Sequence, residues 1–239
     1  MTTISSSLLR PIFERRAVKS FEPVKIPDDV RGQILQAARL APSSFNSQPY
    51  RLYWIESPAS KRIAADYCLG QKPAKTASVL IAAVADIGSW ESTAKAQLDW
   101  MRQSGSPSQA IADYEKKSKI AKWLFVQGWF NILGSKYGIF RVWNLWKGIG
   151  MPPVSRGVQF KWATKSTALA CENLMIAAEA LGLNSCPMEG FHNRRLSRFL
   201  HLTPRYHEIV MVIALGKRSP AYQDSQQWRR PLEATVTFL

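Results

Sequence analysis

Four separated stretches of the 239-residue chain carry residue types able to hold a small molecule. Arg15, Arg16 and Lys19 place three cations within five residues, with Ala17 among them. Pro42, Ser43, Ser44 and Asn46 fall in a turn rich in hydroxyls and amides, residues 41–49 (APSSFNSQP). Residues 182–191 (GLNSCPMEGF) follow a long apolar segment and contain Pro187, Met188, Glu189 and Gly190. Near the end stand Gln227 and Arg229, the latter opening the run RRPL. Catalytic machinery made of side chains alone is poorly supported. HExxH, GxSxG and CxxC are all missing, as are a Gly-rich phosphate loop ending in Lys-Ser/Thr and a GxGxxG after a strand. His192, His201 and His207 lie in the last third with no cysteine or carboxylate at metal-ligand spacing, and read as surface or strand-edge residues. An enzyme of this composition is expected to borrow its chemistry from a bound organic cofactor.

Taken in order, the four stretches resemble the nitroreductase family of FMN-dependent flavoproteins. Residues 15–21 (RRAVKSF) are similar to the family's RRSxR/K-x-F start, and residues 41–49 to its APSSxNSQPW turn, with Tyr50 at the aromatic position. Residues 182–191 are similar to ALGLxSxPIEGF, and residues 229–232, more weakly, to K-x-R-x-P-L. The resemblance runs over residues 8–87 and 162–235.

That resemblance implies an α+β fold: a central, mostly antiparallel sheet flanked by helices, with the C-terminal segment exchanged with a partner subunit. It implies a homodimer with FMN at the interface, NAD(P)H as co-substrate, and a nitroaromatic, quinone or similar conjugated acceptor, reduced in a ping-pong cycle through flavin N5. Arg15 and Arg229 would hold the phosphate, with Arg16 and Ala17 beside them, since a phosphate monoester calls for guanidinium or ammonium partners. Lys19 matches the cation at the flavin pyrimidine edge, where positive charge favours acceptance of hydride. Pro42, Ser43, Ser44 and Asn46 match the turn that reaches the flavin from the partner. Pro187, Met188, Glu189 and Gly190 match the strip beside the ring, where glycine permits close approach. Gln71 falls where the family often places a polar neighbour, with Lys72 next to it. No side chain is assigned as catalytic; Glu189 is expected to matter through its backbone. Two departures stand out: Ala17 replaces a serine donor and Gln227 replaces a lysine, which predicts looser FMN retention. Other readings are a flavin-dependent dehydrogenase or oxidase on the same fold, and a non-catalytic flavin-binding or membrane-associated protein.

The elements that must position these residues are legible in part. VRGQILQAARLA after Asp28 and Asp29 has helical periodicity; RLYWIES alternates as a strand; SVLIAAVADI (residues 78–87) reads as a fully buried strand. A helix is expected from Ser57-Pro58 to about Cys68, and another over residues 91–103. Residues 161–184 read as a helix apolar on nearly every face, stopped by Gly182, and covered by the core or by a second subunit. A short strand (SCPME), a helix (NRRLSRFL), a strong strand (HEIVMVIALG) and a last extended stretch (LEATVTFL) follow. Strands and helices mix without βαβ regularity, which gives the α+β class.

Composition bounds the rest. The hydrophobic fraction of 46% and charged fraction of 21% describe a globular chain, read as a single domain over residues 1–239. Cys68, Cys171 and Cys186 are an odd set without zinc spacing, which suits a reducing, cytoplasmic setting. Neither a signal-peptide layout nor a spanning apolar run is present. The net charge is +15, and ten Lys or Arg fall between Lys116 and Cys171 without one Asp or Glu. Residues 88–160 form an aromatic and basic insert that the family resemblance does not explain. It is read first as wrapping the partner or roofing the flavin. The second reading is contact of residues 116–150 with an anionic membrane surface, peripheral to its inner face. The segment is too apolar for a typical nucleic-acid groove, so no nucleic-acid partner is expected.

Overall fold

The computed structural model describes residues 9–125 and 155–239. The insert's Trp-rich run beyond Phe125, and with it most of the anticipated membrane-facing segment, lies outside the described residues.

The sheet is built on two long apolar strands, β3 (Val79–Asp86) and β5 (His207–Arg218), paired antiparallel from Val79↔Leu215 to Asp86↔His207. β2 (Tyr50–Ile55) adds to the free side of β3, and β4 (Asn184–Met188) to the other side of β5, both antiparallel. A two-residue strand, β1 (Phe21–Glu22), pairs with the end of β5. The mixed helices and antiparallel sheet are the α+β class expected.

β3 is buried at every position because both faces of the sheet are covered. Its alternation then splits the core in two. Leu80, Ala82 and Val84 join Val18, Cys186, Met188 and Leu196 on one side. Val79, Ile81 and Ala83 join Ile34, Ala38, Cys171 and Leu174 on the other. The first side is roofed by α3 (Pro58–Tyr67), α4 (Lys72–Thr76) and α8 (Asn193–Phe199), the second by α2 (Asp28–Arg39) and α7 (Arg156–Ala180). α1 (Arg10–Glu14) lies against α7, while α5 (Trp90–Gln103) and α6 (Ser108–Phe125) form a hairpin joined by Arg102–Glu115 (2.6 Å) and Tyr114 Oη donating to Gln97 Oε1 (3.1 Å).

Local chemistry explains most boundaries. Ser57 Oγ accepts from Ser60 N, with Pro58 at the first position of α3. α7 begins five residues before the expected Lys161, because Ser155 Oγ accepts from Val158 N and caps it there. It stops where Gly182 takes φ +77° and Leu183 N donates to Ala178 O at 2.8 Å, the left-handed stop that glycine allows. The expected final extended stretch is corrected: Leu232–Ala234 is a 3₁₀ turn and no strand follows. Nothing among the described residues pairs with its edges, and alternation alone cannot supply a partner. No helix among the described residues is long and apolar enough to cross a membrane.

Candidate functional site

The N-terminal cationic segment meets β4 edge-on at residues 17–19. Ala17 forms a parallel bridge with Ser185, and Val18 N donates to Ser185 O at 3.1 Å. This register drives Val18 fully into the core and turns Ala17 and Lys19 outward. Lys19 Nζ donates to Cys186 Sγ at 3.2 Å. Arg15 is half-buried, its Nε 3.7 Å from Glu172 Oε1 on α7. Arg16 donates to the carbonyls of Phe13 (3.1 Å) and Arg15 (3.4 Å). Among the described residues no carboxylate pairs with Arg16 or Lys19.

Beyond β4 the chain runs into Glu189 and Gly190, both exposed. Gln71, at the start of α4, donates through Nε2 to Gly190 O at 2.7 Å and Cys68 O at 3.1 Å. It therefore ties α3 and α4 to the end of the strip. A Cβ at Gly190 would meet only Gln71 Nε2 at 3.4 Å and Leu69 Cδ1 at 3.7 Å, which are ordinary contacts. Nothing among the described residues demands glycine here. Met188 departs from expectation, because its side chain is buried in the core and only its main chain faces the strip. Pro187 is half-buried, and its carbonyl lies 3.7 Å from Cys186 Sγ.

The other predicted residues are not brought to this strip within one chain. The 42–49 turn leads into β2, at the sheet edge opposite β4. Ser43 Oγ accepts from Gln48 N (3.0 Å), and Gln48 Nε2 donates to Asn46 Oδ1 (3.2 Å). Phe45, Asn46 and Gln48 all take positive φ, 58°, 51° and 44°, a strained backbone for residues with side chains. Pro42, Ser44 and Asn46 are exposed. Gln227 and Arg229 are exposed on the C-terminal tail, where Arg229 Nη1 donates to Trp228 O at 2.9 Å.

Two clusters escaped the sequence reading. Cys186 meets Lys19 across 167 positions, a separation no motif spacing reports. Asp86, 1% exposed, takes Arg51 Nε at 2.6 Å and the main-chain N–H of Gly88 (2.8 Å) and Ser89 (3.2 Å), with His207 Nε2 at 3.7 Å. The Arg51 guanidinium is held above its ordinary value chiefly by that hydrogen bond to Asp86. His192 and His201 are exposed, in keeping with the surface or strand-edge reading, whereas His207, the first residue of β5, has its side chain largely buried beside a carboxylate. The one available signal was an aspartate closing an apolar strand. Burial pushes the Cys68 thiol up to about 11, and burial reinforced by Glu172 pushes Cys171 up to about 12. A cavity of about 410 Å³ beside Asp86 is lined by Arg39, Tyr50, Arg51 and Thr93, away from the cationic strip.

An antiparallel sheet roofed on both faces by helices, with an outward lysine beside β4, defines an α+β fold class. Similarity places the chain within that class. A sequence model of the nitroreductase family matches residues 12–128 and 151–217, and the chain belongs to that family. It is 28% identical over 209 residues to protein DrgA of Synechocystis sp., covering 87% of this chain and 82% of that protein. It is 27% identical over 225 residues to an NADH dehydrogenase of Thermus thermophilus, covering 94% and 92%. In structure it is similar to a protein of Exiguobacterium sibiricum, assigned to the nitroreductases and solved in complex with FMN, at TM-score 0.74 and 21% identity over the full length of both chains.

Proposed function

We propose that the protein is an FMN-dependent NAD(P)H oxidoreductase, acting as a homodimer on a nitroaromatic, quinone or similar conjugated acceptor in a ping-pong cycle. The observation that carries this reading is the strip itself: Lys19 held outward beside Cys186 of β4, Arg15 and Arg16 immediately before it in the chain, and Gly190 just beyond the strand, where nothing among the described residues requires the missing side chain. The donor set fits the group. Arg15 and Arg16 supply planar donors for a phosphate monoester, and Lys19 supplies a point charge further along. When bound, FMN would accept hydride and pass on electron pairs, chemistry that no side chain provides. The chain's own work is positional. Gln71 fixes the carbonyl of Gly190, and the β4 register holds Lys19 outward. Ala17 offers only a methyl group, so the phosphate is held with one hydroxyl donor fewer.

The site is open, and a second copy is the part that completes it. Large apolar side chains stand exposed on the surfaces such a copy would cover: Leu169 on α7, Phe45 on the strained turn, and Trp228, Leu232 and Phe238 on the tail. In the dimer the 42–49 turn of one subunit reaches the strip of the other, and the tail carrying Gln227 and Arg229 wraps the interface.

An anaerobic absorbance spectrum before and after NADH or NADPH tests the reading. A flavin band that bleaches is the expected result. A flavin band untouched by either nucleotide, or failure to take up FMN, would overturn it.

A further inference from the structure

The helix that follows the strip is strongly cationic. Between Glu189 and Glu208 there is no acidic residue, while Arg194, Arg195, Arg198 and Arg205 occur with three histidines. Leu196 and Leu200 anchor α8 in the core, and Arg194, Arg195 and Arg198 all point to solvent. Among the described residues none of these three has an ion pair. Arg205 instead lies over the Tyr206 ring, 5.4 Å from its centroid. Arg198 lies one turn beyond both Arg194 (i, i+4) and Arg195 (i, i+3), and like charges at these spacings repel, which an anion relieves.

Their place matters more than their number. His192 N donates to Tyr67 O at 2.7 Å, pinning the start of α8 two residues past Gly190. The surface next to the Pro187–Gly190 strip is therefore this cationic turn. The group suited to several neighbouring guanidiniums is a phosphate monoester, doubly charged and rich in acceptors. Of the two nicotinamide donors, only NADPH carries one, on its adenosine ribose.

We propose that Arg194, Arg195 and Arg198 receive the 2′-phosphate of NADPH, so that NADPH rather than NADH is the donor. The assignment rests on the oxidoreductase reading, and the test separates the two. Adenosine 2′,5′-bisphosphate and AMP are titrated calorimetrically into the FMN-loaded protein, with inorganic phosphate as a third probe. KM and kcat are measured for both nucleotides. The bisphosphate is expected to bind at least about tenfold tighter than AMP or phosphate. The R194A/R195A variant should lose that difference and raise KM for NADPH about tenfold, leaving KM for NADH and kcat unchanged. Both substitutions are on exposed positions; R198E should act in the same direction and serves as a second variant. Equal binding of bisphosphate and AMP, phosphate binding as tight as the bisphosphate, or a preference that survives both variants would overturn the assignment. Tight, arginine-dependent bisphosphate binding with no flavin bleaching would sink the oxidoreductase reading and leave the phosphate site standing.

Discussion

Lys19 Nζ donates to Cys186 Sγ at 3.2 Å, and the same sulfur lies 3.7 Å from the carbonyl of Pro187. With the thiol proton directed at that carbonyl, a sulfur lone pair is left for the ammonium. A buried cysteine thereby holds an exposed lysine beside the strip without neutralising it, which a carboxylate would do. The cation stays available to a ligand.

This relation predicts a graded series in the midpoint potential of bound FMN. Positive charge at the reducible edge favours the reduced form, so Lys19→Met should shift the potential negative by about 30 mV or more, the equivalent of roughly 1.4 kcal/mol for two electrons. Cys186→Ala, which frees the lysine, should shift it the same way by less, and Cys186→Ser should restore it. A Cys186→Ala potential identical to that of the parent would remove the thiol from the account.

Ala17 faces outward between Arg16 and Lys19, so a hydroxyl placed there reaches the same ligand. Ala17→Ser is expected to tighten FMN binding about five- to tenfold, in keeping with roughly 1 kcal/mol for an added hydrogen bond. Fluorescence titration of the apoprotein measures it, and unchanged affinity would count against a phosphate at this position.

Gly190→Ala probes the other end. The added Cβ finds only ordinary contacts at 3.4 and 3.7 Å, so the melting temperature should hold. FMN retention should nevertheless fall on gel filtration, because a methyl group takes space that close approach of the flavin ring to this main chain needs. Loss of both stability and flavin would instead assign the glycine a role in the fold.

Asp86 serves stability. Replacing it with alanine strands the Gly88 and Ser89 N–H groups and the Arg51 guanidinium, at a cost of about 1–3 kcal/mol. Urea unfolding should show a lower midpoint with an unchanged slope.

Cys68 and Cys171 set an alkaline limit. Their thiols stay protonated in the folded state up to about 11 and 12, whereas in the unfolded chain they ionise near the ordinary thiol value of about 9.0. Above that value the unfolded state binds fewer protons, so stability falls as pH rises, by up to about 1.4 kcal/mol per pH unit for each thiol. The loss starts near pH 9 and ends once pH passes the folded-state values. Cys68→Ala/Cys171→Ala should flatten that limb of the stability profile.

Much of this architecture could be read along the chain, because the information is local. The apolar run of β3, the periodicity of α2, the Ser57-Pro58 cap and the Gly182 stop each act within a few residues, and each appears where the sequence placed it. The cations at 15, 16 and 19 and the Pro187–Gly190 run were equally visible as residue types. Which of them meet was decided by register. Only the pairing of residues 17 and 185 puts Lys19 on Cys186, and only β3 against β5 puts His207 beside Asp86. The same sheet order holds the 42–49 turn at the far edge from β4, so residues that read as one site along the sequence stand apart in a single chain. Sequence windows encode propensity and alternation; contacts between residues far apart in the chain exist only after strands pair and helices close over them, and it is those contacts that set charge, burial and reach at the site.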